Sequence, residues 1–137
     1  MKKVITYGTY DLITPGHIQH LKESKEFGDY LIVGLSTDEF NNTKHKKSYL
    51  TYEERKIVLE AIKYVDEVIP EENWNQKEDD IKKYNIDILT MGSDWQGDQR
   101  FEKLKEYCEV KYTTRPYTWS STEFRNTVDK YVKKIEE

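Results

Sequence analysis

A chain of 137 residues is long enough to bury a real core and short for two domains, so one domain spanning 1–137 is expected. It is polar, with 35% charged against 36% hydrophobic residues, yet eleven tyrosines speak for a folded soluble protein and against a disordered polymer. The formal net charge of -4 excludes indiscriminate nucleic-acid binding and leaves any anionic ligand to local clusters of cations.

The single cysteine, Cys108, excludes an internal disulfide and reads as a small packing residue. Nothing approaches the length of an apolar membrane span, so a cytoplasmic protein with no membrane insertion is expected.

In chain order, Val4-Ile5-Thr6-Tyr7 is a short β-favouring run, after which Gly8 lets the chain turn and Asp11 suits a loop. Thr14 reads as an N-cap, and Pro15 at the first helical position loses no needed donor, because opening helix N–H groups have no partner in the helix. The amides around Gly16 and His17 therefore face outward with the positive end of the helix dipole behind them. Gly16 allows close backbone approach, and His17 adds a side-chain donor, which together favour an anion such as phosphate. Similar turns occur in α/β domains that bind nothing, and a first-turn histidine is often only solvated.

The first helix runs from about Pro15 to Phe27 and stops at Gly28, and Tyr30 to Leu35 is an almost wholly apolar strand of the kind covered on both faces. Ser36 to Asn42 carries turn residues and leads into Lys44-His45-Lys46-Lys47. Such a run is either a solvated face or, in an acidic protein, the concentrated charge that a triphosphate requires, carried on a loop able to close over it. Thr51-x-x-Glu54 is a capping box, and Ile57, Val58, Leu59, Ala61, Ile62 and Val65 form the apolar face of the helix it opens. Arg55 and Lys63 read there as ordinary exposed helical cations.

Glu67 to Pro70 is a short strand, Lys77 to Tyr84 a helix with Ile81 and Tyr84 inward, and Ile86 to Met91 another strand. Met91-Gly92-Ser93-Asp94-Trp95 is a second glycine turn at the carboxyl end of a strand, where open α/β sheets bind ligands. Asp94 suits a ribose or base, while Trp95 reads equally as a core aromatic. Phe101 to Tyr107 is helical, Val110 to Tyr112 a last strand, and Ser120-x-x-Glu123 caps a final helix carrying Phe124, Val128, Tyr131 and Val132, with a frayed tail from Lys133. Ser120, Ser121 and Thr122, with Arg115 and Arg125 nearby, form a second candidate anion site, although capping alone also explains the serine. The alternation of strand and helix, without linker or repeat, favours an α/β domain with a parallel sheet.

The run G-T-x-D then T-x-G-H, from Gly8 to His17, resembles the signature of the (H/T)-x-G-H nucleotidyltransferase superfamily. Collinear with it, GDYLIVGLSTDEFN, the KHKKSY loop, YEERKIVLEAIKYVDEVIPEENW, MGSDW and the CEV strand resemble its cytidylyltransferase family, and the closing R-x-x-x-x-S-S-T is similar to that family's R-T-E-G-I-S-T. The resemblance covers Lys2 to about Arg125. It implies a Rossmann-like nucleotidyltransferase fold of about five parallel strands flanked by helices. It further implies a homodimer that transfers CMP from CTP to glycerol 3-phosphate, giving CDP-glycerol and pyrophosphate, with substrate-associated Mg²⁺.

By motif position, the resemblance assigns Thr14, His17 and Lys46 to catalysis. Thr9, Tyr10, Asp11, Gly16, Lys44, Gly92, Asp94, Arg115, Ser120, Ser121 and Thr122 fall to the nucleotide, with Asp11 also as the Mg²⁺ ligand, and Arg55, Lys63 and Lys77 to the acceptor phosphate. The departures are Thr14 where this family has histidine, Lys63 where it has arginine, and Pro116-Tyr117-Thr118-Trp119 in place of T-E-G-I. Threonine at the first position is usual in the phosphopantetheine adenylyltransferase branch. A sibling enzyme using ATP or another small phosphorylated alcohol, and a non-catalytic nucleotide-binding module, therefore remain open.

Overall fold

The computed structural model describes residues 1–114 and 121–136, without the side chains of 121–125 and 136. Among the described residues, β1 (Lys3–Gly8), β2 (Tyr30–Ser36), β3 (Glu67–Glu71), β4 (Ile88–Gly92) and β5 (Glu109–Thr113) form one sheet in the order β3-β2-β1-β4-β5, every pair parallel. The helices are α1 (Pro15–Glu26), α2 (Asp38–Thr43), α3 (Tyr52–Glu60), α4 (Gln76–Lys83), α5 (Gln99–Glu102) and α6 (Ser121–Glu136), with 3₁₀ turns at Ser93–Trp95 and Lys103–Glu106. The strands and helices expected from the sequence are present, in a Rossmann-like arrangement.

Strand alternation divides the core in two. Ile5, Tyr7, Ile32 and Leu89 meet Ile81, Phe101 and Leu104 on the α4 and α5 side, while Val4, Leu31, Val33 and Leu35 meet Leu21 and Leu59 on the α1 and α3 side. Gly34 is required by the first layer, since a Cβ there would lie 2.3 Å from the Tyr7 ring.

Apart from shifts of one or two residues at element ends, four segments differ from expectation. Residues 38–43 are helical, because Thr37 accepts the Phe40 N–H at 3.1 Å and Asp38 and Glu39 sit favourably at the positive helix end. The helix opened by Thr51 ends at Glu60 instead of reaching Val65, and it buries Arg55 and Leu59 while leaving Ile57 67% and Val58 38% exposed. The segment expected as a helix from Phe101 divides into α5 and a 3₁₀ turn. The tail is helical to Glu136. Cys108 is half-buried beside the first layer, where burial pushes its thiol up to about 11, and this fits a packing role.

Successive connections carry the chain from β1 outward to β2 and β3, then back across to β4 and β5. The crevice between the carboxyl ends of β1 and β4 is therefore the switch point at which open α/β sheets take ligands.

Candidate active site

The carboxyl end of β1 runs through a tightly wound loop into α1. Tyr10 and Leu12 hold positive φ of 48° and 51°, a strain of order 1 kcal/mol each that persists only where the surroundings impose it. The surroundings are visible: the Tyr10 ring lies on Gly8, where a Cβ would come within 2.7 Å of it, and 5.5 Å from the His17 ring. Tyr10, expected at the nucleotide, is 6% exposed and serves as the floor of the site.

Thr14 is the N-cap of α1 and Pro15 its first residue, as expected. The Thr14 backbone N–H donates to His17 Nδ1 at 2.9 Å, and the Thr14 hydroxyl lies 3.2 Å from the same nitrogen. Because Nδ1 is used as an acceptor, the proton of the neutral ring resides on Nε2. Burial pushes the His17 pKa down to about 4, outweighing the pull of the Asp11 charge, so at neutral pH the ring is an uncharged donor with a fixed tautomer. Gly16 occupies the same first turn.

Asp11 has a structural role that its motif position does not reveal. Only 1% exposed, it accepts the Tyr49 N–H at 2.8 Å on one oxygen and the Leu50 N–H at 3.1 Å on the other. Its carboxylate is a clamp on the segment that follows the lysines, with one acceptor site of each oxygen used in this way. Among the described residues no group of three His, Cys, Asp or Glu side chains is arranged to hold a metal ion. Thr9 donates its hydroxyl to Asn41 Oδ1 at 3.3 Å and lends its carbonyl to Arg55.

The lysine segment leaves the end of α2 at the carboxyl edge of β2. Lys44 Nζ lies 4.4 Å from the Phe40 ring centroid and 5.8 Å from that of Trp74. Burial, reinforced by Lys46, Lys77 and Arg55 and opposed by Glu71, brings the Lys44 pKa down to about 8. Lys46 is exposed, its backbone N–H tied to the Asn41 carbonyl at 2.9 Å.

Lys77 approaches Trp74 from α4 at 4.7 Å and pairs with Glu71 at 2.7 Å, both side chains about 5% exposed or less. Burial raises the Glu71 pKa despite that partner. Such a pair holds position more than it adds stability, because desolvation offsets the attraction. Trp74 and Glu71 were not singled out in the sequence; a charge and an aromatic just beyond a strand end were the available signal. From Trp74 and Lys77 a cavity of about 500 Å³ extends between α4 and the segment containing Arg100, Phe101, Lys103 and Tyr107.

Two acceptor assignments do not survive. Arg55 is fully buried, with Nε donating to the Leu50 carbonyl at 3.1 Å, NH1 to Thr9 and Ser36 carbonyls at 2.9 and 2.7 Å, and NH2 to Asp38 at 2.8 Å. It is a strut beneath the site, since four of its five N–H groups are spent on the protein itself. Lys63 is exposed just before β3, at the amino edge of the sheet and thus opposite the carboxyl ends, with its Nζ over Tyr64 at 5.2 Å. Gly92 ends β4 with open space where a Cβ would stand, and Asp94 is exposed in the following 3₁₀ turn, both at the crevice. Arg115, Ser120 and the Pro116 to Trp119 replacement lie outside the described residues. Ser121 and Thr122 begin the α6 backbone, but their side chains also lie outside them.

Residues 5–131 match the sequence profile described as cytidylyltransferase-like. The chain is 58% identical over 125 residues to glycerol-3-phosphate cytidylyltransferase of Staphylococcus aureus, covering 91% of this chain and 93% of that protein. To the Bacillus subtilis protein of the same name it is 55% identical over 128 residues, covering 93% and 98%. Among solved structures, the lipopolysaccharide core biosynthesis protein from Thermoplasma volcanium superposes with a TM-score of 0.71 at 26% identity, over 87% of this chain and 99% of that one.

Proposed function

Because this chain belongs to the cytidylyltransferase-like family, we propose that it transfers CMP from CTP to glycerol 3-phosphate, giving CDP-glycerol and pyrophosphate. An oxygen of the acceptor phosphate forms the new bond to the α-phosphorus of CTP. The bond from that phosphorus to the oxygen bridging to the β-phosphorus breaks, and its electrons leave with pyrophosphate. No covalent enzyme intermediate is needed, so the protein aligns two polyanions and steadies the charge gathering on oxygen.

The observation that carries the reading is the opening of α1, where first-turn amides stand beside a neutral His17 whose proton is fixed on Nε2. His17 gives a hydrogen bond to a phosphate oxygen that strengthens as charge builds there. Lys44 and Lys46 supply the positive charge the histidine lacks, Lys44 being largely protonated at neutral pH. Thr14 sets the histidine's orientation, Gly92 and Asp94 border the nucleotide, and Lys77, paired with Glu71 at the edge of the cavity, is kept for the acceptor. Arg115, Ser120, Ser121 and Thr122 are assigned to the triphosphate by their place in the family motif alone.

Mg²⁺ enters with the triphosphate as part of the substrate, and Asp11 is the residue that would meet it there. We further propose a homodimer working in the cytoplasm, with the exposed Ile57 and Val58 of α3 as apolar surface for a second copy. Among the described residues no helix is long and apolar enough to cross a membrane.

Pyrophosphate release with Mg²⁺, CTP and glycerol 3-phosphate, without comparable release from ATP, is the expected result. Thr14 favours the second reading, a sibling enzyme, and turnover with ATP alone would establish it. Tight nucleotide binding without turnover on any phosphate acceptor would make the chain a binding module.

A further inference from the structure

Trp74 and Trp95 stand with ring centroids 6.4 Å apart and planes inclined at 57°, an open corner of two π faces beside the cavity that begins at Lys77. That corner is covered by one side chain that is itself 51% exposed. The Arg100 guanidinium carbon lies 4.4 Å from the Trp74 centroid and 5.4 Å from that of Trp95. It is fixed there by Asp98, which receives Nε at 3.1 Å and NH2 at 2.9 Å as well as the Arg100 backbone N–H at 2.9 Å. Asp98 is itself the N-cap of α5, so the clamp is anchored in the backbone. With Lys77 at 4.7 Å and Lys44 at 5.8 Å, three protein cations surround Trp74.

Paired aromatic faces attract ammonium groups, and the same faces already bearing a guanidinium repel them. The Asp98 carboxylate, which could otherwise draw an ammonium, is taken by Arg100. The bonds to Asp98 leave the NH1 hydrogens as donors for hydroxyl oxygens.

We propose that Arg100 is the acceptor-specificity residue: seated in the Trp74/Trp95 corner, it excludes amino-alcohol phosphates and selects an uncharged polyol phosphate. This rests on the reading of the chain as an acceptor-phosphate transferase and adds how the far end of the acceptor is recognised. On that reading the phosphate end meets the same groups for any acceptor, so selection falls on the group that reaches the tryptophans.

The test compares glycerol 3-phosphate with phosphoethanolamine in the wild type, Arg100→Gln and Arg100→Lys. Both kcat/KM from pyrophosphate release and dissociation constants from calorimetry are read. The preference for the polyol phosphate should fall roughly 10-fold or more in Arg100→Gln, with Arg100→Lys retaining more of it because the charge remains. A merely structural role lowers both acceptors together and leaves their ratio unchanged, and an unchanged ratio overturns the proposal. If no CTP-dependent turnover occurs, the transferase reading fails, while the ratio of the two dissociation constants still decides the role of Arg100. Failure of both esters to bind the wild type also overturns it.

Discussion

Arg55→Met separates the two roles that a helical arginine can have here. Methionine keeps much of the length and removes the guanidinium, stripping the Ser36 carbonyl of a fully buried bond and the Thr9 and Leu50 carbonyls of part-buried ones. An acceptor left unsatisfied in the interior costs about 1–3 kcal/mol, with the two part-buried carbonyls toward the lower end. Asp38, with 46% of its side chain exposed, is resolvated by water, and losing its partner adds little. The expected loss is about 4 kcal/mol, a large share of the 5–15 kcal/mol typical of a domain. With roughly 2.1 cal/mol/K of unfolding entropy per residue, that is a fall in Tm of roughly 14 °C. Urea unfolding followed by tryptophan fluorescence measures the loss, with pyrophosphate release as the companion assay. A variant within about 1 kcal/mol of the wild type that has lost only acceptor affinity would restore Arg55 as a phosphate ligand and refute the strut.

Replacing His17 with alanine should lower kcat by roughly 10²–10³ while the unfolding transition persists, as for other lost transition-state donors; wild-type rates would remove His17 from the mechanism. Lys44 loses its charge as pH rises through about 8, so kcat/KM for CTP should decline above that pH, and Lys44→Met should abolish this limb while lowering the plateau. His17 and His20 are both pushed by burial to about 4, below the ordinary value of 6.5, so between those values the unfolded chain takes up protons that the folded one refuses. Stability should therefore fall as pH drops from 6.5 toward 4, by up to about 3 kcal/mol per histidine. His20→Gln should remove up to one proton from that slope; an unchanged acid profile would show that His20 is readily protonated in the fold.

The fold and the start of the site were legible because their signals are local. Thr14-Pro15-Gly16-His17 encodes a cap, a helix start and a donor within four residues, and the apolar run from Tyr30 encodes a covered strand. The destinations of charged side chains were not legible in that way. Arg55 looks like any surface helical cation, and only the return of the chain brings the Thr9, Ser36 and Leu50 carbonyls around it. The clamp made by Asp11 could not be read either, because the amides it satisfies, at Tyr49 and Leu50, lie 38 and 39 residues away. The helix at 38–43 was hidden by Asn41 and Asn42, which read as turn residues, whereas Thr37 and the acidic first turn prevail. Lys63 followed from motif position alone, and the sheet puts it at the wrong edge.

The grip of Asp11 on Tyr49 and Leu50 determines what kind of motion the basic loop can make. Lys44, His45 and Lys46 keep their backbone N–H groups on α2 carbonyls, so only Lys47 and Ser48 lie between those ties and this grip, a span whose reach cannot exceed roughly 7 Å even fully stretched. Closure over a nucleotide is then the swing of a short tethered arc, with no long flap to unfold and refold in each cycle. Its hinges lie at the rim of the sheet, so the lysines can yield to an arriving polyanion while the backbone on either side stays still.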